Sequence, residues 1–565
     1  MYSLNFRLLL VVFAALAGGA SFLQANHYFP WPAFYSEYLA FVAFFFISLG
    51  SLVRSGLVFS RTVLCVFFVA LIPLLQFACG VVFFFGDALL ACLYLLGFAV
   101  ALVVGQSVTA GDGRGLIFSA WVLLWVAMFS TWVALCQWLL VAEKFQLFLV
   151  LPVGARPYAH LGQSNNLATM LVMALVALLY LYEKSKLGIW GAVSLAVFLL
   201  LGVALTQSRT PWVAGFAVLL FWVFRASKCG ARVSWRGLLG WYLLYIIFVA
   251  FLPYLANKLL LVSSDPLQRV QSLHRWELWW QLIHAALQGP LWGYGWNQVS
   301  VAQVAVSLTY PIQLMTEHSH NVLLDLLLWN GPLLGGLIIA YMVVWLGRLA
   351  WCVRTVESLC SLLVVGIVLT HGMVEFPLEY AFFLLPTGLL LGVVMAEHSA
   401  GFRWVVPRYM ALGVVLILGG LLGWVWREYR VVEEDHRLMR FESAGIGLLR
   451  AEQAAPDALL LTQLREFIRY ARTPAVEGMN VEQLYWMEKV AHRYPYPSSL
   501  IRYSLALALN GRPEEAYEQL RILRALHGIE RYDAAVQDFL LARDKYPYLQ
   551  ELTDLFLMVP VQLNP

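Results

Sequence analysis

Uncharged, apolar residues run through most of this chain in long blocks, broken by short polar stretches. The blocks lie at roughly residues 8–24, 37–53, 62–79, 85–105, 117–141, 165–182, 187–206, 211–225, 238–256, 320–346, 358–374, 379–396 and 407–426. Repeated runs of about 17 to 25 apolar residues are what helices spanning a hydrocarbon core of about 30 Å require. The pattern predicts an all-α polytopic membrane protein with about 13 transmembrane helices. The first block follows Arg7 and contains "ALAGGA", so a cleaved signal peptide competes with an uncleaved first helix. We read it as the first helix.

From about Arg427 the pattern changes to a soluble, helical one that carries seventeen of the thirty-seven basic residues. "SSLIRYSLALALNGRPEEAYEQLRIL" predicts a helix, a turn over Gly511–Pro513 and a second helix, with the small-residue spacing of a tetratricopeptide-like (TPR-like) hairpin. A plain all-α tail that packs on itself is the competing reading. The predicted organisation is a membrane domain over 1–426, with a long loop at about 257–319, and a soluble α-helical domain over 427–565.

Composition removes several function classes. Of 565 residues, 61% are hydrophobic and 12% charged, whereas ordinary soluble usage is about a quarter charged. A net charge of +4 is too small to imply a nucleic-acid partner. The 7 cysteines are scattered without a CxxC pair. Walker A, GxGxxG and HExxH motifs are all missing, so neither a cofactor nor a metal is expected.

Charge then orients the chain. Loops on the starting side carry Arg7, Arg54, Arg61, Arg114, Lys184, Lys186, Arg225, Lys228, Arg232, Arg236, Arg348, Arg354, Arg403 and Arg408, fourteen in all. Opposite loops carry six: Lys144, Arg156, Arg209, Lys258, Arg269 and Arg275. The positive-inside rule places the N-terminus in the cytoplasm and, with an odd number of spans, the tail outside. The polar and aromatic clusters, "NHYFPWPAFYSE", "GARPYAHLGQSNN", "TQSRTP", the 258–317 segment and "VEFPLEY", then share the outer side.

Four clusters there carry candidate chemistry. In "TEHSHN", His318 and His320 are two apart and point different ways on a strand or helix, a poor chelating pair. They fit interfacial histidines at a helix mouth, with Asn321 or Ser319 at the N-cap, or a general base near neutral pH. Arg209 in "TQSRTP" and Arg275 in "LQRVQSLHRWELWW" stand against the positive-inside trend. Arg275 lies on a Trp-rich amphipathic stretch suited to a membrane surface. Their partner is either a phospholipid headgroup or a phosphate-bearing ligand such as a polyprenyl diphosphate donor. In "RPYAHLGQSNNLATM", Gln163, Asn165 and Asn166 precede a helix; carboxamides there either cap it or bind sugar hydroxyls. In "HGMVEFPLEYAFFLLP", His371, Glu375, Glu379 and Tyr380 gather at a short turn, where solvation competes with a functional role.

Taken in order, "RPYAHLGQSNNLATM", "LTQSRTPWVA", "PLWGYGWNQ", "EHSHNVLLDLLLWNG" and "EFPLEYAFFLLP" resemble the PglL-type bacterial protein O-oligosaccharyltransferases. These sit within the superfamily of O-antigen ligases and polymerases. The likeness runs from about residue 28 to 430, and the tail resembles that group's C-terminal extension. HxHN is shared across the superfamily, while GQxNN with EFPLxYxxFLLP is more specific to the protein-glycosylating branch. "YAHLGQS" departs from it, standing where the family pattern has Gly-Asn before the Leu and Pro after the Gln; this bears on donor-sugar preference. The resemblance implies transfer of a preassembled glycan from undecaprenyl diphosphate to Ser or Thr of exported proteins such as pilins, at the bacterial inner membrane, without metal. It implies His320 as base, His318 as its neighbour, Arg209 and Arg275 on the diphosphate, and Gln163 and Tyr380 near the site. The rivals are an O-antigen ligase acting on lipid A-core and a transporter of the lipid-linked glycan. Transporters place polar residues at midplane on broken helices, and these runs are uncharged inside.

Overall fold

The structure, a computed structural model, describes residues 2–52, 57–109, 113–145, 155–259, 271–397, 403–446, 455–544 and 546–558. Arg54 and Arg269 lie outside the described residues. Every apolar block is helix: α1 (Tyr2–Phe22), α2 (Phe34–Leu52), α3 (Arg61–Ala78), α4 (Phe85–Thr109), α5 (Arg114–Trp138), α6 (Ser164–Glu183), α7 (Ile189–Leu205), α8 (Thr210–Arg225) and α9 (Trp235–Lys258). The long loop holds α10 (Gln271–Gln288) and α11 (Val299–Val306), followed by α12 (Val322–Cys352), α13 (Val356–Gly372), α14 (Ala381–Glu397) and α15 (Arg408–Ser443). Among the described residues nine helices are long and apolar enough to cross a membrane. Four shorter apolar helices, Phe6–Phe22, Ile189–Leu205, Val356–Gly372 and Ala381–Glu397, fill the other blocks. Helix α15 does not stop where its apolar run ends near 426 but continues to Ser443, because the residues beyond favour a helix with a polar face.

The chain forms two compact units, one of residues 1–70, 93–269 and 341–424, the other of 71–92, 270–340 and 425–565. In the first, α6 is buried along most of its length, packed by α5, α7, α8 and α13. Helices α4 and α14 cross closely because each offers a glycine: a Cβ on Gly105 would collide with the Leu389 carbonyl, and one on Gly392 with that of Leu102. Small residues at such crossings drive helix association where lipid removes the hydrophobic incentive. Helix α9 leaves Leu243, Ile247, Phe251 and Tyr254 exposed along one face, as a lipid-facing helix does. The all-α expectation needs one amendment. Two short strands, β1 (Leu57–Ser60) and β2 (Arg403–Val406), pair antiparallel with Leu57 opposite Val406 and Ser60 opposite Arg403.

The second unit holds the long loop and the tail. Tail helices α16 (Thr462–Arg472), α17 (Val481–Arg493), α18 (Pro497–Leu509), α19 (Pro513–His527), α20 (Ile529–Ala542) and α21 (Leu549–Met558) close over Met487, Leu500, Leu507, Leu520 and Leu523. The helical hairpin expected over 498–523 is present, with Gly511 turning the chain at φ 72°. Glu428 ties the tail back to α15 by accepting from the backbone N–H groups of Leu459, Leu460 and Leu461 at 3.0, 2.8 and 3.2 Å.

One apolar block differs from its reading as a continuous run. Helix α12 is broken at Gly331, whose φ of 74° and ψ of 170° are not helical, and Pro332 follows. The proline has no N–H to give Leu328, four residues back. The backbone N–H of Tyr294 reaches the Leu328 carbonyl instead at 2.8 Å, and the Trp329 carbonyl accepts from Gly295 N–H at 3.2 Å and from the Gln76 amide at 2.8 Å. "PLWGYGWNQ" therefore serves as a cap for a broken helix.

Candidate functional site

The loop that leads into α12 carries the two histidines, and its backbone is fixed from several sides. Asn321 is the N-cap: its Oδ1 accepts from the N–H groups of Leu323 and Leu324 at 3.0 and 3.2 Å. One turn in, Asp325 is buried and accepts from Ser319 N–H at 2.9 Å. The Ser319 carbonyl takes the indole N–H of Trp279 at 2.9 Å. Upstream, the Thr316 hydroxyl donates to the His318 carbonyl at 2.6 Å, while Thr316 N–H donates to Gln303 at 3.0 Å. Between these anchors His320 adopts a left-handed backbone, φ 56°. That conformation costs a residue with a Cβ about 1–2 kcal/mol. Such strain survives only where surrounding bonds over-determine it. Both imidazoles are half-buried, so they combine a fixed position with access from outside.

Arg275 lies in the first turns of α10, the helix whose Trp279 anchors Ser319. That helix buries Leu278, Leu282 and Ala285 and exposes Trp276, Trp280 and Leu287, an aromatic face outward. Such a face suits the headgroup boundary of a bilayer. Its inner side is polar where needed: Gln303 on α11 donates to Gln281 at 3.0 Å and to the Leu314 carbonyl at 2.8 Å, stapling the strand-like entry to Thr316.

In the first unit, Arg209 is the exposed N-cap residue of α8, with Pro211 behind it. A guanidinium there adds to the positive end of the helix dipole, where anions are favoured. The preceding Ser208 hydroxyl donates to Asn165 Oδ1 at 2.8 Å, and Asn165 donates to Glu375 at 3.0 Å. Asn165 thus joins "GQSNN", "TQSRTP" and "EFPLEY", and two of the four hydrogen-bonding positions of its amide are taken. Asn166 is buried. Gln163 is the N-cap of α6 but makes no side-chain capping bond, which sets aside the capping role weighed for it. Gly162 turns the chain at φ 69° beside the His27 ring. Thr169 and His371, both buried, bond at 2.9 Å.

Sequence reasoning brought Asn165, Asn166, Glu375 and Tyr380 forward, and the structure bonds Asn165 to Glu375; it also joins Arg275's helix to the His320 loop. The residues it passed over are the supports: Gln76, Gln303, Trp279, Asp325 and Ser208, together with Asp87, Arg493 and Tyr496. A lone carboxylate in an apolar block, as in "FFFGDALL", was the available signal for Asp87. Among the described residues no group of three or more His, Cys, Asp or Glu could hold a metal ion.

The bundle of long apolar helices is that of a multi-pass membrane protein, and its relatives give the class, a glycosyltransferase. Residues 194–340 match the family model described as O-Antigen ligase. Residues 359–541 match that described as Virulence factor membrane-bound polymerase, C-terminal. The chain is 31% identical to a General O-oligosaccharyltransferase of Acinetobacter baylyi over 94% of both chains. It is 27% identical to a ComP-specific O-oligosaccharyltransferase of the same organism, over 77% of this chain and 80% of that one. No solved structure matches. The chain belongs to the PglL-type O-oligosaccharyltransferase family, within the O-antigen ligase superfamily, and is a glycosyltransferase.

Proposed function

We propose that this protein transfers a preassembled oligosaccharide from undecaprenyl diphosphate to Ser or Thr hydroxyls of exported proteins such as pilins, without metal and with inversion at the anomeric carbon. The observation that carries the reading is the His320 loop, strained and fixed by bonds from α10, α11 and α12 in a chain of this family. His320 takes the proton of the acceptor hydroxyl, with His318 beside it in the chain. The hydroxyl oxygen attacks the anomeric carbon, and the bond to the phosphate oxygen breaks with its electron pair on the leaving diphosphate. Arg275 and Arg209 bind that diphosphate; planar guanidinium forks suit its oxygens. Gln163, Asn165, Asn166, Glu375 and Tyr380 serve the glycan or acceptor, Asn165 through its remaining valences.

Fourteen basic residues on one set of loops against six on the other support an inner-membrane protein with its N-terminus in the cytoplasm and with the site and residues 427–565 in the periplasm. The acceptor defines the second reading, favoured by the O-Antigen ligase match: transfer to lipid A-core with the same residues. Expression with a glycan-assembly pathway separates the two. Intact-mass analysis of secreted pilin showing added glycan supports protein transfer, and a glycan ladder on lipopolysaccharide instead overturns it. A transporter would leave both bare. Broken transporter helices leave carbonyls to coordinate ions, whereas at Leu328 and Trp329 those carbonyls accept from protein donors.

A further inference from the structure

The second unit contains a buried charge network that the proposed chemistry does not use. Arg493, at the C-terminal end of α17, is buried and grips Asp87 with two donors, Nε at 3.1 Å and Nη2 at 3.0 Å. Asp87 sits in the first turn of α4 and is itself 4% exposed on its side chain. The same guanidinium places Nη1 3.6 Å from Glu317 Oε2. The other Glu317 oxygen accepts from the Tyr496 hydroxyl at 2.7 Å. Position is held further by the Ser300 hydroxyl, which donates to the Arg493 carbonyl at 2.8 Å, and by Asn297, which donates to the Asp87 carbonyl at 3.1 Å.

Glu317 immediately precedes His318. The histidine loop is therefore held at its far end by α12 and at its near end by two residues of the tail. Asp87 and Arg493 are buried, and a buried charge left without its partner is strongly destabilising, so a chain does not assemble this pair without compensation. Packing alone would be served as well by apolar residues, since replacing such networks by well-packed hydrophobes is often neutral or better. What an ion-pair network adds is a fixed orientation for the carboxylate it grips.

We propose that Arg493 and Tyr496 are positioning residues for glycan transfer: through the Glu317 carboxylate, the tail sets the loop that presents His318 and His320. This rests on the function proposed above. The tail is then part of the catalytic apparatus, and a small change in it reaches turnover without touching substrate.

The test uses the full-length protein in membranes, with undecaprenyl diphosphate carrying the host's oligosaccharide as donor and purified pilin as acceptor. The parent must glycosylate pilin and His320→Ala must not; failure of either overturns the proposed function and this inference with it. Given both, Tyr496→Phe removes one hydroxyl and leaves the charges paired. Its kcat is expected to fall about tenfold, as misplacement of a reacting group by a fraction of an ångström allows, with acceptor KM within about twofold. In a Glu317→Ala background, which removes the acceptor of its hydroxyl, Tyr496→Phe is expected to cause no further loss, because its route to the loop is already cut. Arg493→Lys, which keeps charge and loses the fork, should lower kcat likewise, while the exposed Arg512→Ala leaves it unchanged. A kcat for Tyr496→Phe within twofold of the parent, a loss confined to KM, or an equal loss with and without Glu317→Ala overturns the inference and leaves the function standing.

Discussion

Two polar regions of this molecule are built on opposite plans. The loop from Thr316 to Asn321 is fixed mainly at its backbone, by Trp279, Gln303 and Asp325, with the Glu317 carboxylate and the Asn321 cap securing its ends. Its two histidines are half-buried. Around Asn165 the side chains themselves hold the structure, with carboxamide, hydroxyl and carboxylate joining three segments distant in sequence. The first plan holds a loop mainly by its main chain; the second uses side chains as joints. Proximity of polar groups alone therefore does not say which cluster reacts; where the backbone bonds go does.

The largest effect expected from this contrast is on turnover at the loop. His320→Ala should lose about 10²–10⁴ in rate while unfolding at the parental temperature, and Arg275→Lys should lose a comparable factor because the fork is gone. Single-turnover transfer to pilin beside a thermal melt in detergent checks both; near-parental transfer by His320→Ala would reverse the assignment of the two plans. Next is Gly331→Ala, which meets the Leu291 carbonyl and is strained at φ 74°. We expect a loss of about 2–4 kcal/mol, read as a large fall in the melting midpoint or in folded yield. Asn165→Ala should cost about 1–3 kcal/mol by leaving Glu375 and Ser208 short of a partner. Stability should fall before kcat does, and the opposite order would make Asn165 a substrate contact first.

The smallest effect concerns His160. It stacks on Phe129 at 5.6 Å, its carbonyl bonds to the His27 ring at 2.7 Å, and burial, with His27 adding to it, holds its imidazole down to about 4 from 6.5. A histidine so lowered stays neutral in the fold while the unfolded chain takes up a proton. Its contribution to stability is complete above pH 6.5 and is lost as pH falls from 6.5 towards 4. His160→Gln should flatten the melting temperature across that window; an unchanged slope would show that other groups set it.

Much of this was legible in sequence, for a physical reason. Hydrophobicity is a local property, so every apolar block became a helix, and the Asn321 cap and the Gly511 hairpin turn follow from local rules. The Gly-Pro pair at 331–332 was a breaker signal inside a strongly apolar run, and the run outweighed it. What stayed hidden were side chains whose partners are remote. Gln76 and Trp329 are 253 residues apart, and Arg493 and Asp87 are 406 apart. Nothing near Gln76 in the chain marks it as the donor for a broken helix. For the candidate site, the residues proposed to react carry recognisable chemistry in their own neighbourhood, whereas the residues proposed to position them do not.

The interruption at Gly331 also bears on how the chain is made. Within hydrocarbon each bare peptide group costs several kcal/mol, and an ordinary span meets that demand from its own backbone before it leaves the insertion machinery. Helix α12 is unable to do so, because the donors for Leu328 and Trp329 belong to Gln76, Tyr294 and Gly295. Biogenesis of this segment is consequently not autonomous: it is completed only when earlier-synthesised parts of the polypeptide are already waiting beside it, and a nascent chain lacking them would emerge with an unfinished span.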